Sequence, residues 1–261
     1  MKKTCATVAR TLLSFISLRR FGKDKKPSGE GKGKCMSTSS TKKAAAKKPE
    51  ILRHYTSIEN LFKILDSGYL LLGDPEKWED KNDSAALQAF GRLNGNGTKT
   101  RVVCFLDGEE SIYHWQFHAP KGCCISFDRN EILEQAKGSH FLHDKIEYKK
   151  SITAAELNEL ILKPKGIEKI PFLKRSQFQC EGEYRIIWFG TGEVPKIHFK
   201  REAIINITLS PEIAEINLKN LGDYLKKKYR KKIQLSRVLE LPEWIRIFEN
   251  LGKRNPKKRK T

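Results

Sequence analysis

The 261-residue sequence lacks most of the short motifs that identify a protein class directly. It has no Gly-Lys-Ser/Thr loop and no Gly-x-Ser-x-Gly turn, which excludes P-loop phosphoryl transfer and the common hydrolase layout. No apolar run approaches the roughly 20 residues of a membrane helix, so we expect no membrane partner. The six cysteines include no Cys-x-x-Cys pair, and thiols without a disulfide framework favour the reducing environment of the cytoplasm.

The two ends of the chain differ in composition from its middle. Acidic residues are missing from positions 1–22, and positions 22–49 combine Gly, Ser, Lys and Pro with almost no apolar residue. This composition predicts a disordered basic tail over residues 1–49, a folded domain over residues 50–252 and a basic tail over residues 253–261. Met36 is the only methionine after Met1, so a start at Met36 stays open as an alternative.

The formal net charge of +20 is concentrated in three stretches. Residues 1–50 hold 14 basic and 3 acidic side chains, and Lys226–Lys232 and Lys253–Thr261 contribute six basic side chains each. The rest of the chain is nearly balanced, which indicates basic appendages on an ordinary domain. The run Lys226–Lys232 fits either a nucleic-acid contact or the solvated end of a helix, where cations favour the helix dipole.

Apolar periodicity and turn signals predict an α+β domain, because the strands are not spaced as regular βαβ repeats. Thr56 and Glu59 form a capping-box pattern before the first helix. The segment Glu109–Ala119 is predicted as a surface connection between strands. The main predicted elements are strands over 51–55, 101–106, 122–127, 141–149 and 183–189 and helices over 84–93, 153–162 and 242–251.

Three segments place reactive or aromatic side chains beside predicted strands. His54 lies at the end of the first strand, where it either serves a site or satisfies a backbone group. The segment Tyr113–His118 is rich in aromatic side chains, which indicates packing over a ligand or against the core. Glu181 and Glu183 point the same way in an extended chain, and two carboxylates beside an apolar strand are costly unless they are paired or used.

These segments also have interpretations that involve no functional site. His114 and His118 share one face of a helix, but no third ligand follows at a recognisable spacing, so we expect no metal site. Glu183 alternatively forms a salt bridge with a nearby arginine. The segment Glu147-Tyr148-Lys149 fits the Asp/Glu-x-Lys pattern of metal-dependent nucleases, a pattern that is frequent in a chain with 31% charged residues.

The order of these segments resembles that of a large, uncharacterised bacterial family with HYTS, CF…W…GxxIxF and ExEYR blocks. The resemblance covers about residues 51–240, and its first loop departs from the family's usual Asn-Asp-Pro with Trp78-Glu79-Asp80. That family is similar to the ADP-ribosyltransferase-like superfamily, whose members split NAD between nicotinamide and ribose. The matching residues are His54–Ser57 with Ile64–Leu70, Cys104-Phe105 with Trp115 and Gly122–Phe127, and Glu181–Arg185.

The resemblance implies a single ADP-ribosyltransferase-like domain with a split, mostly antiparallel sheet core and flanking helices. It also implies that NAD is the substrate. The spacing of the two carboxylates is that of the arginine-modifying branch, but that branch begins with Arg where this chain has His, so the acceptor type stays open. The residues implied are Glu183 and Glu181 for catalysis, His54 for the ribose, and Tyr55, Tyr69 and Trp115 for contacts with NAD.

We therefore expect an NAD-dependent ADP-ribosyltransferase-like enzyme that modifies a protein or a nucleic acid, as toxins and phage-defence effectors of this superfamily do. The alternative is a non-catalytic domain of the same fold that binds nucleic acid through Lys226–Lys232 and the basic tails.

Overall fold

A computed structural model of the chain describes residues 50–251, apart from residues 214, 232 and 241. The predicted basic tails and Met36 lie outside these residues. Within the described part, helices and strands follow one another irregularly around a mostly antiparallel sheet, so the predicted α+β class is confirmed. No helix in these ranges combines the length and the apolar content that a bilayer crossing requires.

The described elements are numbered separately for helices and strands. The helices are α1 (Ile58–Ser67), α2 (Lys81–Leu93), α3 (Ile112–His118), α4 (Arg129–Gln135), α5 (Ala154–Leu162), α6 (Gly166–Lys169), α7 (Glu215–Tyr229) and α8 (Pro242–Leu251). The strands are β1 (Ile51–Thr56), β2 (Tyr69–Leu71), β3 (Lys99–Leu106), β4 (Cys123–Asp128), β5 (Phe141–Lys145), β6 (Glu147–Lys149), β7 (Leu173–Arg175), β8 (Glu183–Gly190), β9 (Lys196–His198), β10 (Ile204–Leu209) and β11 (Ile233–Leu235).

Seven strands form one sheet in the order β11-β10-β4-β1-β3-β8-β5, with antiparallel neighbours except for the parallel pair β10 and β11. Two small sheets pair β2 with β9 and β6 with β7. β1 pairs with β4 along its whole length, and β3 does so with β8. In contrast, β1 and β3 pair at one position among the described residues, Arg53 opposite Leu106. The large sheet therefore opens between β1 and β3.

Hydrophobic cores cover both faces of the large sheet. One core contains Ile186 of β8 and takes the apolar sides of α1, α4 and α7. The other contains Ile187 together with Leu87 and Phe90 of α2. Successive residues of a strand point to opposite faces. The charged side chains at the start of β8, residues 183 and 185, therefore share the face that α2 covers.

The start of α1 differs from the prediction. The side chain of Ser57 accepts the N–H of Asn60 and caps the helix, whereas Thr56 is the last residue of β1. The capping box predicted for Thr56 and Glu59 is wrong by one residue, because Thr56 still pairs with Cys123 in the sheet.

The start of α2 is also earlier than predicted. Asp80 caps the helix by accepting the N–H groups of Asn82 and Asp83, so α2 begins at Lys81 and not at Ser84. Asp83 consequently lies in the first helical turn instead of a loop.

Two other predicted segments are divided differently in the structure. The single strand predicted over 141–149 is β5 in the large sheet followed by β6 in a small one, because Ile146 donates its N–H to the carbonyl of Glu183 and the chain then pairs with β7. The connection predicted over 109–119 contains the helix α3.

Gly122, immediately before β4, gives a test of the packing between β4 and β1. A Cβ atom at this position would lie 2.3 Å from the backbone oxygen of Thr56 and 3.0 Å from Cβ of Ala119. We expect Gly122→Ala to lower the free energy of unfolding by about 1–3 kcal/mol in urea denaturation, because paired backbone cannot move aside cheaply. Gly192→Ala is the matched control, since its methyl group would meet no atom within 4 Å. Equal losses in the two variants would contradict this packing.

Candidate functional site

A cleft of about 950 Å³ lies where β1 and β3 separate. Its walls come from the end of β1, the start of α2, β3, α3 and the chain around residues 174–183. The volume is at the upper end of the range of small-molecule sites, which is about 300–1,000 Å³. Four of the predicted site residues line it: His54, Tyr55, Glu181 and Glu183.

His54 bridges the two halves of the sheet. Its Nδ1 lies 3.1 Å from the carbonyl oxygen of Cys104, in the stretch where β1 and β3 do not pair. A carbonyl only accepts, so Nδ1 carries the proton and Nε2 keeps its lone pair. Burial lowers the pKa of His54, with the bond to Cys104 acting in the opposite sense, so the ring is neutral near pH 7. His54 thus satisfies a backbone group and still offers one acceptor to a ligand.

Five charged side chains meet beside the cleft and form what we call the charge cluster: Asp83, Lys174, Glu181, Glu183 and Arg185. The ammonium group of Lys174 lies 2.5 Å from Oε2 of Glu181, 2.9 Å from Oε2 of Glu183 and 3.4 Å from Oδ2 of Asp83. All members except Arg185 line the cleft. Three carboxylates and two cations give the fully ionised cluster a formal charge of −1.

Arg185 holds the charge cluster together from the interior. Its side chain is 0% exposed, and its Nε donates to Oε1 of Glu183 at 2.6 Å. Nη1 donates to Oδ1 of Asp83 and to the carbonyl of Pro171, both at 2.9 Å, and Nη2 donates to both carboxylates. The salt bridge that the sequence left open for Glu183 is therefore present. One planar guanidinium joins α2 to β8, because its fork binds two carboxylates at once.

The turn before β8 brings the two glutamates together. Glu181 ends a 3₁₀ turn over Ser176–Glu181, Gly182 adopts a left-handed conformation with φ +50°, and Glu183 begins the strand. The expectation that both carboxylates point the same way because the chain is extended is wrong, although they do converge on Lys174. The convergence depends on the positive φ, which glycine adopts without a Cβ penalty.

The pKa values of the two glutamates are shifted in opposite directions. Burial alone raises the pKa of Glu183, but the charges of Arg185 and Lys174 and the hydrogen bonds from Arg185 outweigh it, and the pKa lies well below its usual range. Burial raises the pKa of Glu181, and the charge of Lys174 offsets only part of that effect. Glu183 is therefore the ionised partner, and Glu181 is the one that takes up a proton more readily.

The two carboxylates also differ in their capacity to accept further hydrogen bonds. Glu181 accepts from Oη of Tyr113 at 3.2 Å and from Lys174, whereas Glu183 accepts two bonds from Arg185 and one from Lys174. An ionised carboxylate has about four acceptor positions. Glu181 consequently has more room for a ligand hydroxyl group.

The aromatic segment in α3 divides between the cleft and the core. Tyr113, His114, Phe117 and His118 line the cleft. The Tyr113 and Phe117 rings stack with centroids 4.6 Å apart, and Phe117 is 55% exposed, so part of its ring is open to a ligand. Tyr55 stacks on His114 at 5.3 Å. Aromatic stacking surface is thus present in the cleft, as predicted for this segment.

Trp115 and Tyr69 are not among the residues that line the cleft. Trp115 is 0% exposed, and its Nε1 donates to Oε2 of Glu110 at 3.1 Å. Tyr69 lies on β2, where its ring packs against His198 with the ammonium group of Lys196 4.4 Å from its centroid. Because neither ring lines the cleft, the proposed site does not include them.

Lys174 and Asp83 are the members of the charge cluster that sequence reasoning missed. Lys174 is one of many lysines and belongs to no motif. If Asp80 had been recognised as the helix cap, Asp83 would have been predicted in the first turn of α2. Nothing in the sequence, however, indicates that Asp83 pairs with Arg185, which is 102 positions away.

The sequence contains two patterns that can indicate a metal site, and the side chains of both make other contacts in the structure. His114 Nδ1 lies 2.8 Å from Oγ of Ser111, and its Nε2 lies 3.0 Å from the carbonyl oxygen of Glu181. In the segment Glu147–Lys149, the two charged side chains pair with each other at 2.5 Å. Among the residues described, no group of three or more His, Cys, Asp or Glu side chains is placed to hold a metal ion.

Comparison with solved structures finds similarity to DarT of Thermus sp. 2.9 in complex with NAD+. The identity is 12%, the TM-score is 0.38, and the match covers 74% of this chain and 98% of that one. DarT is an ADP-ribosyltransferase, the superfamily that the sequence motifs resemble. At this TM-score the similarity carries no argument about the site. No protein-family model matches the chain, and no curated protein matches it either.

The depressed pKa of Glu183 predicts a specific loss of stability in acid. A carboxyl group whose pKa is lower in the folded state stabilises the fold above its unfolded-state pKa, and this contribution is lost as the pH falls through the folded-state value. In urea denaturation, the free energy of unfolding of the wild type should fall as the pH drops below about 5. Glu183→Gln should be less stable at pH 7 and show a flatter acid dependence.

Glu76→Gln, at an exposed position in the short 3₁₀ helix Pro75–Lys77 before α2, is the control and should keep the wild-type curve. An acid dependence of Glu183→Gln as steep as that of the wild type would show that Glu183 is not held ionised by the cluster.

Proposed function

We propose that the protein is an NAD-dependent ADP-ribosyltransferase-like enzyme that cleaves the nicotinamide–ribose bond and transfers ADP-ribose to a protein or a nucleic acid. The observation that carries this proposal is the pair of carboxylates, Glu181 and Glu183, that Lys174 holds in a cleft between separated halves of the sheet. The opening between β1 and β3 supports the split sheet that the resemblance implies.

The reaction requires a fixed negative charge close to the ribose. The bond between ribose C1 and the nicotinamide nitrogen breaks, its electron pair leaves with nicotinamide, and positive charge builds on the ribose, as in glycoside hydrolysis. A carboxylate that is already ionised and immobile stabilises this charge without reorganising. Glu183 meets this requirement, because Arg185 fixes both of its oxygens and its pKa is low.

Glu181 suits the second task, which is to take the proton of the acceptor. Its raised pKa makes it the stronger base of the pair once it is ionised, and its free acceptor positions allow it to bind a hydroxyl group. Two carboxyl groups with pKa values pushed apart by their surroundings divide such roles in known acid–base sites.

The remaining lining fits the other parts of a dinucleotide. The charge cluster is negative where the cationic nicotinamide ring would lie, whereas three cations, Arg53, Lys81 and Arg175, line the cleft and would face a pyrophosphate. Arg53 also donates to the carbonyl of Gly108. Arg175 lies 3.5 Å from Asp80, and Lys81 is exposed. His54 presents a lone pair on Nε2 to a ribose hydroxyl. Tyr55 contributes an aromatic face.

The cellular setting belongs to the same proposal. Cys104, Cys123 and Cys124 are free thiols, and burial raises the pKa of each, which suits a reducing compartment such as the cytoplasm. The toxin or phage-defence role implied by the family resemblance stays a prediction.

The alternative, nucleic-acid binding without catalysis, has less support from the basic run at the end of α7. Lys228 pairs with Asp66 at 2.8 Å, and Nζ of Lys231 donates to the carbonyl of Ile204 at 2.8 Å. These two cations are engaged within the fold. Lys226 and Lys227 are exposed and remain available to phosphates.

Nicotinamide release from NAD by the purified full chain tests the proposal. We expect Glu183→Gln to lower the rate by about 10²–10³-fold, the usual cost of losing one electrostatic group at such a site. His54→Ala should raise KM by roughly three- to tenfold, the value of one hydrogen bond. Chromatography of nicotinamide measures both effects.

Glu147→Gln is the matched control, because Glu147 lies on the surface and pairs only with its neighbour in β6 among the contacts described. It should retain the wild-type rate. Release that survives both Glu183→Gln and His54→Ala would contradict the site. Absence of release, together with nucleic-acid binding whose log K falls by about 0.9 per neutralised phosphate, would favour the alternative.

A further inference from the structure

A second cavity of about 460 Å³, which we call the side cavity, adjoins the cleft. Five residues line both spaces: Asp80, Asn82, Asp83, Lys174 and Arg175. Among the residues assigned to NAD, Arg175 belongs to this shared wall, and the others do not line the side cavity. Its volume lies within the range of small-molecule sites.

Part of the lining of the side cavity is apolar and comes from two helices. Ala86 and Ala89 of α2 form one wall, and Leu157 and Ile161 of α5 contribute to the other. The spacings i, i+3 and i, i+4 place each pair on one side of its helix. The two alanines leave the space that longer side chains would fill.

α5 is an amphipathic helix with no fully buried residue, although Leu160 and Ile161 are partly buried against the core that α2 covers. Its start is well formed, since Thr153 and Glu156 make a complete capping box. Ordinary surface helices bury their apolar stripe against the core. Leu157 and Ile161 also border the side cavity, where an apolar group would remove their exposed surface from water.

The rim of the side cavity is basic. Lys149, Lys150, Lys174 and Arg175 line it together with the carboxylates of Asp80 and Asp83, a formal sum of +2. Part of this charge is engaged, because Lys174 belongs to the charge cluster, Arg175 lies 3.5 Å from Asp80, and Lys149 pairs with Glu147 at 2.5 Å on the surface. Lys150 is exposed.

We propose that the side cavity binds a small amphiphilic anion. Its apolar or aromatic body lies between α2 and α5, and its carboxylate, sulfonate or phosphate group faces Lys149 and Lys150. This site is independent of the proposed NAD chemistry. It is adjacent to that chemistry, however, because a ligand in the side cavity contacts Lys174, the residue that also holds Glu181 and Glu183.

Two fluorescent probes of nearly the same shape test the site in the full chain. The first, 8-anilinonaphthalene-1-sulfonate, carries an anionic group, and the second, N-phenyl-1-naphthylamine, lacks it. We expect one saturable site for the sulfonate probe. Ala89→Phe, which fills the cavity, should weaken its binding by about tenfold or more, which corresponds to about 1.4 kcal/mol.

Charge reversal at two exposed positions provides a second variant, which adds no bulk to the cavity but removes the ion pair between Lys149 and Glu147. Lys149→Glu with Lys150→Glu should weaken binding of the sulfonate probe by about tenfold and leave the neutral probe unchanged. Both lysines are exposed, so this variant keeps the test valid even where Ala89→Phe fails to fold.

The exposed apolar residues of α8 provide the control, because they also attract such dyes. Trp244, Ile247 and Phe248 are 62%, 59% and 60% exposed. Ile247→Ser with Phe248→Ser should leave the saturable binding unchanged. Loss of binding in this control, equal binding of the two probes, or unchanged binding in a folded Ala89→Phe variant would each overturn the proposal.

Discussion

The buried guanidinium of Arg185 organises the part of the molecule where chemistry is proposed. It is fully enclosed, and it binds Asp83 of α2 and Glu183 of β8 at the same time. Charges taken out of water are tolerated only when they are paired with good geometry, and removing one partner from such a group typically costs about 3–5 kcal/mol. The position of α2 against the sheet, the ionised state of Glu183 and the location of Lys174 are therefore linked.

The separation of β1 from β3 is the complement of this rigid cluster. Among the described residues, β1 and β3 pair only at Arg53 and Leu106. The carbonyl of Cys104, farther along the opening, is bonded by the side chain of His54. An open sheet would normally leave backbone groups without partners, which is costly. A histidine at this position removes that cost, and His54 is also one of the residues that line the cleft. His54 therefore has a structural role through Nδ1, which bonds to Cys104. The functional role proposed for His54 uses its other ring nitrogen, Nε2.

The sequence predicted much of the large sheet, because strands such as β3, β4 and β8 carry clear apolar patterns. The sequence motifs also identified four residues that line one cleft in the structure: His54, Tyr55, Glu181 and Glu183. Features that depend on distant contacts were not predictable. The pairing of Asp83 with Arg185 spans 102 positions, and Lys174 belongs to no local pattern. Trp115 and Phe117 lie two residues apart in α3, and only the packing of that helix decides that the first enters the core and the second faces the cleft.

The position of the dinucleotide in a crystal of the chain grown with NAD+ is the most direct test of the account. The account predicts that the ribose attached to nicotinamide lies within hydrogen-bond reach, about 2.6–3.2 Å, of a carboxylate oxygen of Glu181 or Glu183, with the pyrophosphate beside Arg53. Binding of the dinucleotide outside the cleft, or a cleft that stays empty in crystals soaked at millimolar NAD+, above the usual KM range of about 1 μM to 1 mM, would contradict it.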